Sequence, residues 1–335
     1  MNGEGEPTIL SGLVARDRLK GELIERISGL KATGMTPALA IIQAGDRADT
    51  TSYVDSKKRF AAGIGADVRH VHMDADARQE DVIGHIKTLN ADRSVHGIIV
   101  QLPLPEGLDR DAAMAAIDPA KDADGLAPTN VAIWSAGGSH VVWPATARGV
   151  GELLDFYDIV LKGKNVCVIG RSALVGAPVA ALCRAKGAIV TVCHSKTGDL
   201  KKETLAADVI ISAVGKPGLV TVDHVKPGQV IVDIGISEVG ADHQSKNISQ
   251  EFSSEKIPRH RASPAGPDPC SETDGRHRPG RSQPKRNLIG DVDFKAVKAV
   301  LGPNGAISPV PGGVGPMTVL ALFENLADLC DRMSS

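Results

Sequence analysis

The chain has few cysteines and no long hydrophobic run, and these absences exclude several classes of protein. Its 335 residues include five cysteines, and none of them forms a C-x-x-C arrangement with another. An odd number of cysteines without that spacing argues against a disulfide framework and a zinc site, so we assign them to packing and expect no metal. No apolar run reaches the roughly 18 residues that a membrane span needs. We therefore expect a cytoplasmic protein without a membrane partner.

The chain also lacks an excess of charge of either sign. Lysine and arginine total 38, aspartate and glutamate total 40, and the net charge is -2. Arginines are concentrated only in residues 259–281, where acidic residues lie among them and aromatic residues are absent. Nucleic-acid-binding surfaces combine clustered positive charge with interleaved aromatic residues. Because this segment lacks the aromatic residues and contains acidic ones, we expect no nucleic-acid partner.

Apolar runs of strand length alternate with segments of helical periodicity along most of the chain. The first half contains predicted helices at 14–30, 53–62, 80–89 and 110–117, and predicted strands at 38–42, 67–72 and 97–100. A linker-like stretch at 134–143 and a helix at 146–157 precede strands at 164–169, 188–193, 208–214 and 229–234. A loop at 306–318 leads into a final helix at 317–330. This alternation predicts the α/β class, with parallel strands in two α/β lobes and a cleft between them.

Residues 166–178 have the pattern of a strand that turns through glycines into a helix. Gly170 ends the apolar run, Gly176 opens the alanine-rich one, and Pro178 is tolerated in a first helical turn. Such a turn directs backbone N–H groups and a helix dipole at a phosphate. Ser172 replaces the second glycine of the usual G-x-G-x-x-G, so the motif alone leaves open an ordinary strand, turn and helix.

The end of the next strand favours NADP over NAD. An NAD-binding fold places an acidic residue there to accept the ribose hydroxyls. This chain has His194, Ser195 and Lys196 instead, and Arg171 lies in the first turn. These donors suit the 2′-phosphate of NADP.

Residues 241–286 are rich in arginine and proline and have almost no apolar residues. Such a segment cannot bury enough surface to offset its ordering entropy, so we predict disorder. It is either a tolerated surface insertion or a gene-model error such as unspliced sequence, and intact-protein mass spectrometry distinguishes the two.

Three stretches of the first half carry side chains suited to chemistry. Tyr53 and Lys57 lie one helical turn apart on one face, a spacing that also describes an ordinary solvated helix. Short-chain dehydrogenases use Tyr-x-x-x-Lys too, but after the glycine-rich turn rather than before it. Gln101 ends a buried strand and is followed by prolines that direct the chain outward. Asp124 stands beside Gly125, without the remaining spacing of a calcium loop.

Together these motifs resemble the bifunctional methylenetetrahydrofolate dehydrogenase/methenyltetrahydrofolate cyclohydrolase family. The resemblance runs in order from Leu13 to Leu326, outside the insertion. It is carried by Tyr53-x-x-x-Lys57, 100–105, 122–125, 170–178, 193–197, 290–294 and 309–318.

The resemblance implies NADP-linked oxidation of 5,10-methylenetetrahydrofolate and hydrolysis of the product to 10-formyltetrahydrofolate, within the one-carbon metabolism that supplies purine biosynthesis. It divides the chain into a folate-binding catalytic domain at 1–145, a Rossmann-like NADP-binding domain at 146–315, and a C-terminal helix at 316–335 that packs back on the first domain. It also implies a homodimer formed through the second lobe. The open alternatives are a monofunctional dehydrogenase, and a non-catalytic NADP- and folate-binding protein whose second domain is disrupted by the insertion.

Site residues follow from the same resemblance. The implied catalytic residues are Lys57, Tyr53, Gln101 and Asp124. The implied contacts to the tetrahydrofolate substrate are Tyr53, Thr50, Gln101, Leu102, Asp124, Pro311, Gly312 and Gly313. The implied contacts to NADP are Gly170, Arg171, Ser172, Val175, Gly176, His194, Ser195, Gly215 and Ile236.

Overall fold

The computed structural model describes residues 5–138, 141–238 and 288–334. Its contacts divide the chain into one compact unit, Met1–Ser237 with Ile289–Ser335, and a second unit, Glu238–Leu288. The segment 241–286, which we predicted to be disordered, lies outside the described residues. The first unit contains two separate parallel sheets.

The smaller sheet has three strands in the order β3-β2-β4, all parallel. Its strands are β2 (Ala38–Ala44), β3 (Asp67–Met73) and β4 (Gly97–Val100). The helices of this region are α1 (Gly12–Ala32), α2 (Ala48–Ala62), α3 (Gln79–Ala91), α4 (Arg110–Ala116) and α5 (Pro128–Ser135). Every residue of β2 is buried, as expected for a central strand covered on both faces.

The larger sheet has six parallel strands in the order β1-β11-β8-β7-β5-β6. Its strands are β1 (Thr8–Ile9), β5 (Asn165–Ile169), β6 (Ile189–Cys193), β7 (Val209–Ser212), β8 (Val230–Asp233) and β11 (Ala306–Ile307). Its helices are α6 (Ala145–Phe156), α7 (Gly176–Ala185), α8 (Leu200–Ala206) and α9 (Phe294–Leu301), and a 3-10 turn spans Val222–His224. The strands β9 (Ser237–Glu238) and β10 (Leu288–Ile289) form a separate pair.

The last helix, α10 (Val314–Ser334), connects the two regions. It packs against α6 and α1, and the Phe323 ring lies 5.5 Å from that of Phe60 in α2. The buried Asn325 side chain donates to the carbonyls of Ala123 and Trp143, both at 2.9 Å. This helix therefore ties the smaller sheet's loops to α6, which leads into the larger sheet.

The α/β class and the parallel strands are confirmed, and the differences concern short elements. The predicted linker at 134–143 begins inside α5, where Trp134 is buried and donates to the Gly125 carbonyl. The predicted loop at 306–318 contains β11, and α10 begins at Val314 because a proline is tolerated in a first helical turn. Strand β1 and helices α8 and α9 were not predicted, because segments of two to eight residues are too short for a clear period.

Candidate active site

Lys57 and Gln101 meet at the carboxyl end of the smaller sheet. Helix α2 carries Lys57, and Gln101 directly follows β4, with its backbone N–H bonded to the Ile42 carbonyl at 2.8 Å. The Lys57 Nζ donates to the Gln101 Oε1 at 2.6 Å, while the Gln101 Nε2 donates to the Leu102 carbonyl at 3.0 Å. The amide is therefore held by both ends, and its oxygen faces the amine.

Asp124 supplies a carboxylate close to this amine. Burial raises the pKa of Asp124 to about 6, although the Lys57 charge acts in the opposite direction. Burial also lowers the pKa of Lys57, and here the Asp124 charge opposes the shift. The adjacent Asp122 is fully buried, and its Oδ2 accepts from the Ala127 N–H and the Asn130 Nδ2, which fixes the turn that presents Asp124.

A chain of hydrogen bonds behind α2 was not predicted from the sequence. The Lys58 Nζ lies 2.8 Å from the His70 Nδ1, which must therefore accept, so that the His70 Nε2 donates to the Gln43 Oε1 at 3.0 Å. The Gln43 amide donates in turn to the Gly45 carbonyl and to Thr51. Burial, followed by the Lys58 charge, lowers the pKa of His70. This chain fixes α2 against β2 and β3.

The other predicted substrate contacts occupy three places. Thr50 is buried in the first turn of α2, whereas Tyr53, one turn before Lys57, is 41% exposed. Leu102 follows Gln101 at the end of β4. Pro311, Gly312 and Gly313 immediately precede α10, and the Gly312 carbonyl accepts from the Leu13 N–H at 3.2 Å. This loop therefore lies at the beginning of α1.

The glycine-rich turn after β5 has the geometry of a phosphate site. Gly170 has a φ of +116°, and a Cβ there would lie 2.5 Å from the Ala213 carbonyl oxygen. A Cβ on Gly176 would overlap the Gly170 carbonyl. Ser172 accepts from the Val175 and Gly176 N–H groups at 3.2 and 3.3 Å, so it orders the turn that opens α7. Neither glycine can carry a side chain without moving the backbone.

The remaining predicted cofactor contacts surround this turn. The Gly170 N–H bonds to the Cys193 carbonyl at 2.9 Å, which places the end of β6, with His194 and Ser195, beside it. Arg171 and Ser195 are exposed, as are Gly215 after β7 and Ile236 after β8. The Ser237 Oγ joins these last two loops by donating to the Gly215 carbonyl at 3.3 Å.

Two absences hold for residues 5–138, 141–238 and 288–334. In those ranges no group of three or more His, Cys, Asp or Glu side chains is placed to hold a metal ion. None of the helices in those ranges could span a lipid bilayer. The four cysteines in the same ranges are free and buried, which agrees with a packing role.

A six-stranded parallel sheet with the glycine-rich phosphate turn, residues 170–176, after β5, beside a second α/β region that contains the Lys57 site, defines a dinucleotide-binding α/β enzyme. The NAD(P)-binding domain of tetrahydrofolate dehydrogenase/cyclohydrolase matches residues 144–269 and 276–334. The catalytic domain of that family matches residues 10–124. The chain therefore belongs to the tetrahydrofolate dehydrogenase/cyclohydrolase family, and the resemblance seen in its motifs is confirmed.

Individual relatives align with this chain along nearly their whole length. The bifunctional protein FolD of Lactobacillus acidophilus is 39% identical over 327 residues, which are 97% of this chain and 98% of that protein. The crystal structure of the bifunctional FolD enzyme from Campylobacter jejuni has a TM-score of 0.81 at 34% identity, over 97% of this chain and 99% of that one. The Trypanosoma brucei FolD structure, a complex with NADP cofactor and an inhibitor, has a TM-score of 0.81 at 32% identity and covers 98% and 99%.

Proposed function

We propose that the chain oxidises 5,10-methylenetetrahydrofolate to 5,10-methenyltetrahydrofolate with NADP and hydrolyses the product to 10-formyltetrahydrofolate. The observation that carries this proposal is the Lys57–Gln101 hydrogen bond beside Asp124, in a chain whose other half matches an NAD(P)-binding domain. The same chain thus supplies an amine whose pKa is lowered by burial and a domain that matches dinucleotide-binding domains. We also propose that the chain is divided into a folate-binding catalytic domain at 1–145, an NADP-binding domain at 146–315 and a C-terminal helix at 316–335.

The residues of the larger sheet fit NADP. The Gly170 and Gly176 positions let the backbone approach closely without a Cβ, and such a turn at the beginning of a helix suits a pyrophosphate. His194, Ser195 and Lys196 follow β6 where an NAD site has an acid, and Arg171 is exposed in the adjoining turn. When bound, NADP supplies the acceptor for the hydride that leaves the substrate's methylene carbon.

The oxidation requires orientation more than a strong base. A nitrogen lone pair next to the methylene carbon promotes loss of hydride, so the protein must chiefly hold the pterin in line. We assign this task to Tyr53, whose exposed ring is suited to stacking, and to Asp124. Ionised Asp124 can accept two hydrogen bonds from the pterin's amino group and ring N–H. Thr50, Leu102 and the loop of Pro311, Gly312 and Gly313 complete the proposed contacts.

The hydrolysis requires a proton to move while water attacks the cationic methenyl carbon. Burial lowers the pKa of Lys57, so its neutral amine forms more readily than that of an exposed lysine. A neutral Lys57 can remove a proton from the attacking water, and the resulting ammonium can return it to the departing nitrogen. The Gln101 Oε1, 2.6 Å away, holds the amine in place in either state.

A coupled assay tests the proposal. Protein, 5,10-methylenetetrahydrofolate and NADP should produce the NADPH absorbance band, and added 5,10-methenyltetrahydrofolate should lose its own absorbance faster than in buffer. The first signal without the second would identify a monofunctional dehydrogenase. Saturable binding without either signal would identify a non-catalytic binding protein. Repeating the assay with NAD tests the preference for NADP, for which we expect a higher kcat/KM.

The family resemblance is also our basis for the oligomeric state and the cellular location. We propose a homodimer in the cytoplasm. Light scattering on the purified chain should give twice the monomer mass of 34.9 kDa, and a monomer mass at micromolar concentration would contradict the dimer.

A further inference from the structure

Asp291 is a fully buried carboxylate whose oxygens are directed at one loop. Its Oδ2 accepts from the Ser212 hydroxyl at 2.8 Å and from the Val214 N–H at 2.9 Å. Its Oδ1 accepts from the Lys216 N–H at 2.7 Å. One side chain thus satisfies three donors along the five residues 212–216, which begin with the last residue of β7, and two of these donors are backbone groups.

A second buried carboxylate holds Asp291 in position. The Asp233 Oδ1 accepts from the Gly235 and Asp291 N–H groups at 2.9 and 3.1 Å, and its Oδ2 accepts from the Val292 N–H at 2.9 Å. A Cβ on Gly235 would overlap the Asp291 carboxylate, and one on Gly290 would overlap that of Asp233. Burial, with the Asp291 charge as a lesser cause, raises the pKa of Asp233 to about 7.

The loop that Asp291 holds lies against the phosphate turn. A Cβ on Gly170 would lie 2.5 Å from the Ala213 carbonyl and 3.3 Å from Val214. The same loop contains Gly215, whose carbonyl accepts from the Ser237 hydroxyl after β8. In the sheet order, β7 and β8 lie on the opposite side of β5 from β6. The ribose with the 2′-phosphate belongs at the end of β6, so the nicotinamide half of the dinucleotide belongs beside β7 and β8.

We propose that Asp291 is a positioning residue for NADP, which holds the loop 212–216 in the conformation against which the nicotinamide half binds. The proposal rests on the proposed function and assigns a role to a residue outside the reacting groups. A purely apolar side chain would remove the acceptor of the buried Ser212 hydroxyl and of the part-buried Val214 and Lys216 N–H groups, and the loop would have to move toward water to satisfy them. That movement would alter the cofactor site and leave Lys57, Gln101 and Asp124 in place.

Replacement of Asp291 by asparagine provides the test, because it preserves shape and converts one acceptor oxygen into a donor. Whichever way the amide turns, the Val214 or the Lys216 N–H then faces an NH₂ group. We expect the Kd for NADP, measured by isothermal titration calorimetry, to rise about tenfold or more. Nucleotide-free hydrolysis of methenyltetrahydrofolate should stay within about threefold of the wild-type rate, since the loss is confined to the cofactor site.

Asp293→Asn is the matched control. Asp293 belongs to the same 290–294 motif, but it is exposed and its Oδ1 accepts from the Ala296 N–H at the start of α9. We expect its NADP affinity to equal that of the wild type. Unaltered NADP affinity in Asp291→Asn, or a parallel loss of NADP binding and hydrolysis, would overturn the positioning role.

Ser212→Ala decides the question if Asp291→Asn does not fold. It removes one donor and leaves the carboxylate its two backbone partners. We expect a rise of about threefold in the Kd for NADP, with hydrolysis maintained; an unaltered Kd contradicts the proposal. Failure of the proposed function is distinguishable, because a wild-type protein that binds NADP without turnover still allows the Kd comparison.

Discussion

The two candidate sites differ in the part of the polypeptide that they use. In the smaller sheet, side chains from α2, the end of β4 and the 122–125 turn supply an amine, an amide and a carboxylate. In the larger sheet, the phosphate turn is built from backbone, and Gly170 and Gly176 are required because any Cβ would meet another carbonyl. Proton transfer needs groups that titrate, whereas a phosphate needs N–H groups at close range.

The electrostatic consequences differ as well. Burial shifts the pKa values of Lys57 and Asp124 away from their ordinary values, so ionised groups in that site are held at a cost to stability. Burial raises the pKa of Asp233 as well, to about 7, so the difference lies in the hydrogen bonds. Asp291 and Asp233 between them accept six hydrogen bonds, five from backbone N–H groups. We infer that substitutions in the first site change chemistry at little cost in folding, and that substitutions in the second change shape.

Lys57→Met should have the largest effect and should act on one activity. It keeps the length of the side chain and removes the titratable group, so the hydrolysis rate should fall about 10²- to 10⁴-fold, the usual contribution of general acid–base catalysis. Some dehydrogenase activity should survive, because hydride transfer relies on orientation. Stopped-flow absorbance separates the two steps. Lys87→Met, at an exposed lysine inside α3, is the control for loss of a lysine charge; equal retention of both activities in Lys57→Met would refute the role.

Gly176→Ala should produce the reverse pattern. The added Cβ overlaps the Gly170 carbonyl, so the turn must open, and we expect the dehydrogenase to lose more than tenfold in kcat/KM while hydrolysis persists. The free energy of unfolding should fall by about 1–3 kcal/mol, as for other overpacked sites. Gly198→Ala, where a Cβ meets nothing within 4 Å, is the control. Equal loss of both activities would show that the two sites are not separable.

Asp124→Asn should weaken folate binding and stabilise the protein. The folate KM should rise about tenfold or more, because the amide offers one acceptor oxygen where the carboxylate offers two, and its NH₂ group then faces the second pterin donor. The carboxyl has a pKa of about 6 in the folded chain, above its ordinary 3.8, so the stability linked to its protonation is present below pH 4 and lost as pH rises through 6.

Removing that charge should therefore raise the free energy of unfolding at pH 8 by about 1–2 kcal/mol, with part of the gain offset by loss of the charge that favours the Lys57 ammonium. Urea titrations at pH 8 and pH 4 measure this difference. The gain should disappear at pH 4, where the wild-type carboxyl is protonated. A variant that is less stable at both pH values would contradict the cost that we assign to this site.

The parts of the fold that were predicted are those whose signal is local. The apolar run of β2 and the glycine-containing turn after β5 are each recognisable from a short continuous stretch of sequence. The α/β class and the phosphate turn could therefore be predicted from the sequence. The Lys57–Gln101 contact was expected only through the family resemblance. Strands β1 and β11 have two residues each and exist because they pair with strands far away in the chain.

The unpredicted contacts depend on residues far apart in sequence. Asp291 bonds to groups 75 to 79 positions earlier, so its motif was visible but its partners were not. The available signal was an aspartate within two residues of a glycine at both 233–235 and 290–291, which indicates a carboxylate packed against backbone that has no Cβ. The pairing of Lys58 with His70 likewise appears only when α2 packs against β3.

Gly84→Ala should have the smallest effect, and it tests whether space or residue type accounts for the sensitivity of the phosphate turn. Gly84 lies inside α3, and a Cβ there meets nothing within 4 Å. Alanine in a helix interior is favoured over glycine by about 0.5–1 kcal/mol, so the free energy of unfolding should rise by that amount and both activities should stay at wild-type levels. Thermal and urea denaturation measure the gain. A destabilised Gly84→Ala would mean that glycine replacements are costly throughout this chain, and the loss in Gly176→Ala would then say nothing specific about the backbone approach at Gly170.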